Sequence, residues 1–173
     1  MASFSERMIR SVKLDPLIYE EVEADRSSMG QAIGVVVLSS LAVGIGSIGR
    51  TGGAGIVAVM ATALAGWFIW AFLTYFIGTR LLPEPQTSAN HGQLLRTIGF
   101  ASSPGVIRVI GIIPGLWALV NFIASVWMLA AMIVAVRQAL DYTSTLRAFG
   151  VCIIGWVVQA VLYAILFSFT GML

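Results

Sequence analysis

The chain begins mixed and polar and turns apolar at Gln31. Hydrophobic positions then run in five long stretches, about 31–49, 54–79, 94–112, 114–136 and 148–170. Each approaches the ~20 residues that, at ~1.5 Å rise per residue, carry a helix across a ~30 Å hydrocarbon layer. The stretches are apolar all round, which predicts lipid-solvated helices that satisfy their own backbone groups. The short alternating segments of a membrane barrel are missing from them. Arg96, Arg108 and the Ser102-Ser103-Pro104-Gly105 sequence interrupt the third stretch and make it the weakest. The expected fold is all-α, a polytopic bundle of five transmembrane helices over 31–173 preceded by a cytoplasmic segment, 1–30. In that segment Phe4, Met8, Ile9 and Val12 share one helical face and Arg7, Arg10 and Lys13 the other. This predicts a short amphipathic helix on the membrane surface.

Composition narrows the class. At 58% hydrophobic, 10% charged and a mean hydropathy of +0.93, the chain is excluded from the soluble globules, which are about half apolar and a quarter charged. It is too apolar for a disordered chain, and its single cysteine, Cys152, lies in an apolar run and supports no disulfide framework. The first thirty residues hold six acids and no continuous apolar core of the kind a signal peptide needs. Ten basic against eight acidic residues is too sparse for a nucleic-acid surface, so the basic residues read as topology signals. Arg7, Arg10, Lys13 and Arg26 precede the first span, Arg80 and Arg96 flank the loop after the second, and Arg137 and Arg147 follow the fourth. Only Arg50 and Arg108 fall on the other side. This asymmetry predicts a cytoplasmic N-terminus and an external Leu173.

Local punctuation fits this parsing. Ser27 and Ser28 are candidate caps for the first span, Pro114 suits the first turn of the fourth, and Gly49, Gly52, Gly53 and Gly55 suggest a short outer turn. Pro83-Glu84-Pro85 through Asn90-His91-Gly92 predicts the longest polar loop.

Several residues could carry chemistry. Gly44-Ile45-Gly46-Ser47-Ile48-Gly49 matches GxGxxG, but it ends a membrane helix rather than joining a strand to a helix, and reads as close packing plus a turn. His91, the sole histidine, has no carboxylate or cysteine cluster around it in sequence, so neither a metal nor any other cofactor is expected. An intramembrane protease would have to pair Ser102 or Ser103 with this loop histidine, which is a poor arrangement. Pro104 lacks the N–H that would bond the carbonyl of Phe100, so the third helix should break there and leave that acceptor for a serine, a water or a neighbouring helix. Arg108 follows one turn later, near the outer end, where snorkelling to headgroups competes with lining a polar cavity. Asn121 and Ser125 sit at i, i+4 deep in the fourth span, as interhelical glue or as part of the same candidate polar site. Arg137 and Asp141 have the same spacing at a helix end and read as a solvated terminus. Small residues recur every fourth position at Gly30/Gly34, Ala58/Thr62/Gly66 and Ala160/Ala164/Ser168, allowing close approach of helices within the chain or between chains.

The order of features resembles a known family. Asp15-Pro16 precedes the first span, and Tyr75-Phe76-Ile77-Gly78-Thr79-Arg80 ends the second. Leu94-Leu95-Arg96-Thr97-Ile98-Gly99-Phe100-Ala101-Ser102-Ser103-Pro104-Gly105 forms the third. Ile113-Pro114-Gly115, Val126-Trp127 and Ala135-Val136-Arg137-Gln138-Ala139-Leu140-Asp141-Tyr142 follow, running to Arg147-Ala148. Over about residues 10–170 this is similar to the Yip (Ypt-interacting-protein) domain family, in its prokaryotic branch of five-span integral membrane proteins. The resemblance implies five membrane helices, a cytoplasmic N-terminus and a proline-containing third helix. Eukaryotic members are associated with small GTPases and vesicle traffic. This chain has only a short N-terminal tail, so small-GTPase binding is not carried over to it.

The functional expectation is a non-enzymatic scaffold or accessory subunit in the cell membrane, working through lipids and a partner membrane protein or a second copy. The alternative is a small transporter or channel component with a polar path near Pro104, Arg108, Asn121 and Ser125. Against it, no acidic residue lies within the spans.

Overall fold

A computed structural model describes residues 2–52 and 55–170, and every regular element among them is helical. Gly53, part of the expected outer turn, and Leu173 lie outside the described residues.

Helix α1, Phe4–Val12, opens on a reciprocal capping box. Ser3 Oγ accepts from the Glu6 amide at 3.3 Å, and the Glu6 carboxylate accepts from the Ser3 amide at 3.4 Å. The chain reverses at Leu14, whose φ of 60° is left-handed, and α2, Pro16–Ala24, starts with an Asp15 cap and proline in its first turn. A single 3-10 turn, Arg26–Ser28, leads into α3, Met29–Gly46. The capping expected of Ser27 and Ser28 falls instead on Asp25, which accepts from the Ser27 amide at 2.9 Å. Ser28 Oγ is drawn back to the carbonyl of Val22 at 3.0 Å.

After the short α4, Ile48–Thr51, helix α5 runs Gly55–Phe76 and ends in a π turn, Ile77–Leu81. Helix α6, His91–Ala101, begins with a second capping box, Asn90 with Gln93. It is followed by a 3-10 segment, Ser103–Ile112. Helix α7 is Trp117–Ala139, three residues later than Pro114 suggested, because Gly115 at φ 84° turns the chain first. Asp141, at φ 54°, turns it again into α8, Thr145–Thr170.

Among the described residues four helical stretches are long and apolar enough to cross a membrane: Arg26–Gly46, Ile56–Leu81, Trp117–Ala139 and Thr145–Leu162. The third expected run is not one continuous α-helix. Its α-helix stops at Ala101, and ten residues of 3-10 winding follow, well beyond the usual three or four. Proline explains the change, since Pro104 cannot donate to Phe100 O. Ser103 Oγ fills that acceptor at 2.7 Å.

Two apolar clusters hold the bundle. One joins α5, the π turn, α6, α7 and α8 through Ile77, Leu94, Ile98, Val136, Leu140 and Val151. The other joins α2, α3, α6 and α7 through Ile18, Tyr19, Val35, Phe100, Ala131 and Ala135. Close approach of α3 to the α6 and 3-10 run depends on missing side chains. A Cβ on Gly99 would lie 2.8 Å from that of Ala32, and one on Gly46 would lie 2.0 Å from the carbonyl oxygen of Arg108.

The loop between the π turn and α6 is latched to the α7–α8 turn by Glu84. Its carboxylate accepts from the Thr143 amide at 2.9 Å, Thr143 Oγ1 at 2.8 Å and Gln86 Nε2 at 2.6 Å, with Arg147 3.6 Å away. The Thr143 amide leads the donors that push this carboxyl down to about 2 from an ordinary 4.5. The stabilisation is therefore complete above pH 4.5 and is lost as the pH falls towards 2. We expect the melting temperature of the protein in detergent to fall on acidification from pH 6 to 3. Glu84→Gln should start several degrees lower and lose less over the same range; parallel curves for the two proteins would contradict this.

Candidate functional site

The N-terminal helices pack against the rest of the bundle. Arg7 is 2% exposed, and its guanidinium donates to Glu21 at 3.0 Å, Asp25 at 2.9 Å and Gln31 at 3.0 Å. Read from sequence as part of a solvated face, this arginine is surrounded instead by acceptors from α2 and α3. Arg10 binds Asp15 and Glu21, while Lys13 stays exposed. Phe4 packs over Gly34, Met8 packs against the second apolar cluster, and the carbonyl of Val12 accepts from Trp127 Nε1 at 2.9 Å. Arg96 is buried too. It donates to the carbonyls of Val22 and Glu23 at the C-terminal end of α2, where a cation complements the helix dipole.

Two adjoining cavities lie deeper, of about 550 and 640 Å³, within the ~300–1,000 Å³ typical of small-ligand sites. Trp70, Arg108, Met128, Met132 and Gln159 line both. The first adds hydroxyls from Ser39, Ser40, Thr62 and Ser102. The second is a groove between α7 and α8 whose rim of Phe122, Val126 and Trp156 is exposed.

Arg108 is central to both cavities. Its guanidinium donates to Ser125 Oγ at 3.0 Å, and its Nε is buried with no hydrogen-bond partner. Ser125 lies eight residues along α7 from Trp117, about 12 Å by helical rise, so the side chain points along the bundle and away from the nearer helix ends. The chain's acidic residues are elsewhere, in 1–25 and at Glu84 and Asp141.

The other sequence candidates separate by position. Ser102 lines the first cavity but donates to Ile98 O. Ser103 serves Phe100 as described, and Pro104 is buried. Asn121 donates within its own helix, to Trp117 O at 2.9 Å. Gly30 is exposed and Gly34 takes Phe4. Ala58, Thr62 and Gly66 face the first cavity, and Ala160, Ala164 and Ser168 remain exposed along α8, with Ala160 at the groove. His91 is not in a loop but begins α6, its ring edge-on to Phe68, Phe72 and Tyr75 at 5.1, 6.1 and 6.4 Å. Neither serine hydroxyl is directed to it.

Sequence reasoning did not single out Trp70, Gln159 and the Ser39-Ser40 pair. Gln159 carried a signal, as the one amide in the last apolar run. Ser39 and Ser40 gave only two polar positions in an apolar helix.

Long apolar helices around a largely apolar groove define a multi-pass α-helical membrane protein. The Yip1 domain model matches residues 19–167, most of the chain, and the protein belongs to that family. No curated protein matches the chain, and no solved structure does.

Proposed function

We propose that the chain is a non-enzymatic scaffold or accessory subunit that acts by packing against lipids and either a partner membrane protein or a second copy of itself. The observation that carries this reading is surface left uncovered. Only 6% of the most apolar stretch of Ile56–Leu81 is buried, and the small residues Ala160, Ala164 and Ser168 face outward along α8. Small residues let another backbone approach closely, which is how membrane helices associate. In this reading α6 and the 3-10 segment together form a fifth crossing, since eleven α and ten 3-10 residues reach about 36 Å. The basic-residue asymmetry supports a cytoplasmic N-terminus and an external C-terminus in a prokaryotic cell membrane, in keeping with the prokaryotic branch of the family. Neither a cofactor nor nucleic acid enters this reading, and small-GTPase binding is not carried over.

The cavities around Arg108 favour a second reading, a small transporter or channel component. Mild-detergent purification separates the two. We expect the natural protein to elute as an assembly, and Ala160→Leu with Ala164→Leu to reduce it to a monomer of unchanged helical content. A monodisperse natural monomer without a co-purifying protein, which conducts solutes in liposomes, would overturn the scaffold reading in favour of transport.

A further inference from the structure

An arginine inside a membrane protein is costly, and it persists where it meets an opposite charge or a polar cavity. Arg108 has the cavity without the charge. Among the described residues no carboxylate pairs with it, and the one acceptor it meets is the neutral hydroxyl of Ser125. The buried Nε remains a donor in search of an acceptor, a costly state for a charged group. Trp70, which lines both cavities, gives its indole N–H to the thioether of Met132 at 3.3 Å, and sulfur is a weak acceptor. An oxyanion entering the cavities would therefore meet a guanidinium and an easily redirected indole donor.

The walls tell what is attached to that anion. The second cavity is lined by Phe122, Val126, Leu129, Ile153 and Trp156, and three of these are more than half exposed on the surface that faces hydrocarbon. A small hydrated anion has no reason to enter between such rings, whereas an acyl chain lies there at no cost in hydration. Met128 and Met132 between the two cavities are unbranched and adapt to irregular shapes.

We propose that Arg108 and the groove between α7 and α8 form an intramembrane binding site for one anionic lipid, its headgroup phosphate on the guanidinium and an acyl chain along Phe122, Val126 and Trp156. The groove shares Ala160 with the small-residue stripe of α8 but does not reach Ala164 or Ser168, so Ala164→Leu alone should perturb association while leaving lipid binding intact.

Trp70 and Trp156 line the groove, so brominated lipid bound there quenches their fluorescence. The purified protein in non-ionic detergent is titrated with brominated phosphatidylglycerol and, separately, with brominated phosphatidylcholine. The expected result is saturable quenching with at least a tenfold preference for phosphatidylglycerol. Arg108→Gln should lose that preference, while Arg108→Lys keeps part of it, because a point charge attracts phosphate without the guanidinium fork. Equal quenching by the two lipids in the natural protein would overturn the proposal, and this arm needs no variant to fold. Displacement of phosphatidylglycerol by millimolar inorganic phosphate would also overturn it, identifying a small-anion site. Unchanged preference in an Arg108→Gln protein of normal elution and helicity would do the same.

Discussion

Arg7→Met should release the N-terminal helical pair and cost about 2–3 kcal/mol. Breaking a buried ion pair from one side costs about 3–5 kcal/mol, and the value is reduced here because the carboxylates left behind, Glu21 and Asp25, keep some contact with solvent. Three acceptors from two elements converge on this guanidinium, so a lysine, with a single point of charge, should recover only part of the loss. Limited proteolysis of the first 25 residues reads the effect directly. We expect cleavage in Arg7→Met under conditions where the natural protein is intact, together with a lower melting temperature. Equal resistance of the two proteins would show that the apolar contacts of Phe4 and Met8 hold α1 unaided.

A methyl group at Gly46 should be as damaging. The atom it meets, 2.0 Å away, is the backbone oxygen of Arg108, which cannot rotate aside, so α3 and the 3-10 segment must separate. Overpacking typically costs about 1–3 kcal/mol, and Gly46→Ala belongs at the upper end of that range. Gly105→Ala offers a graded comparison. Its new methyl meets Ser39 Oγ at 2.1 Å and Met128 Sδ at 2.9 Å, both of which can rotate away, so about 1 kcal/mol is expected. Gly49→Ala meets nothing within 4 Å and should be neutral or slightly stabilising. Thermal unfolding of the three variants in one detergent tests the ranking. If Gly46→Ala melts with Gly49→Ala, the close approach of these two elements is not rigid in solution.

Much of the architecture was legible because apolar run length is a strong signal, and it marked the four long helices within a few residues. The third run was legible as a break at Pro104 but not as an extended 3-10 segment. A missing donor at one position does not say how the next ten residues wind. The N-terminal segment was legible only in part. Alternation of Arg7 with Met8 and Ile9 gave a helix with one charged face, but no local pattern says that Glu21, Asp25 and Gln31 fold back to bury that charge. The cavity was the least legible feature. Trp70, Ser39, Arg108, Met128 and Gln159 come from five separate segments, and only tertiary packing brings them together.

The winding of Ser103–Ile112 also sets a direction. At three residues per turn, positions three apart stack in line, so Gly105, Arg108 and Gly111 form a single row along the segment. The two glycines at its ends leave room for neighbouring helices, Gly105 beside Ser39 and Met128, and Gly111 beside Gly46 and Trp117. The arginine occupies the middle of the same row. Under α winding each step of three residues would fall 60° short of a full turn, and the row would fan out around the axis. The three-residue period thus acts as an angular setting: it keeps a long cation in register with two glycines, and it holds the Arg108 side chain towards the bundle.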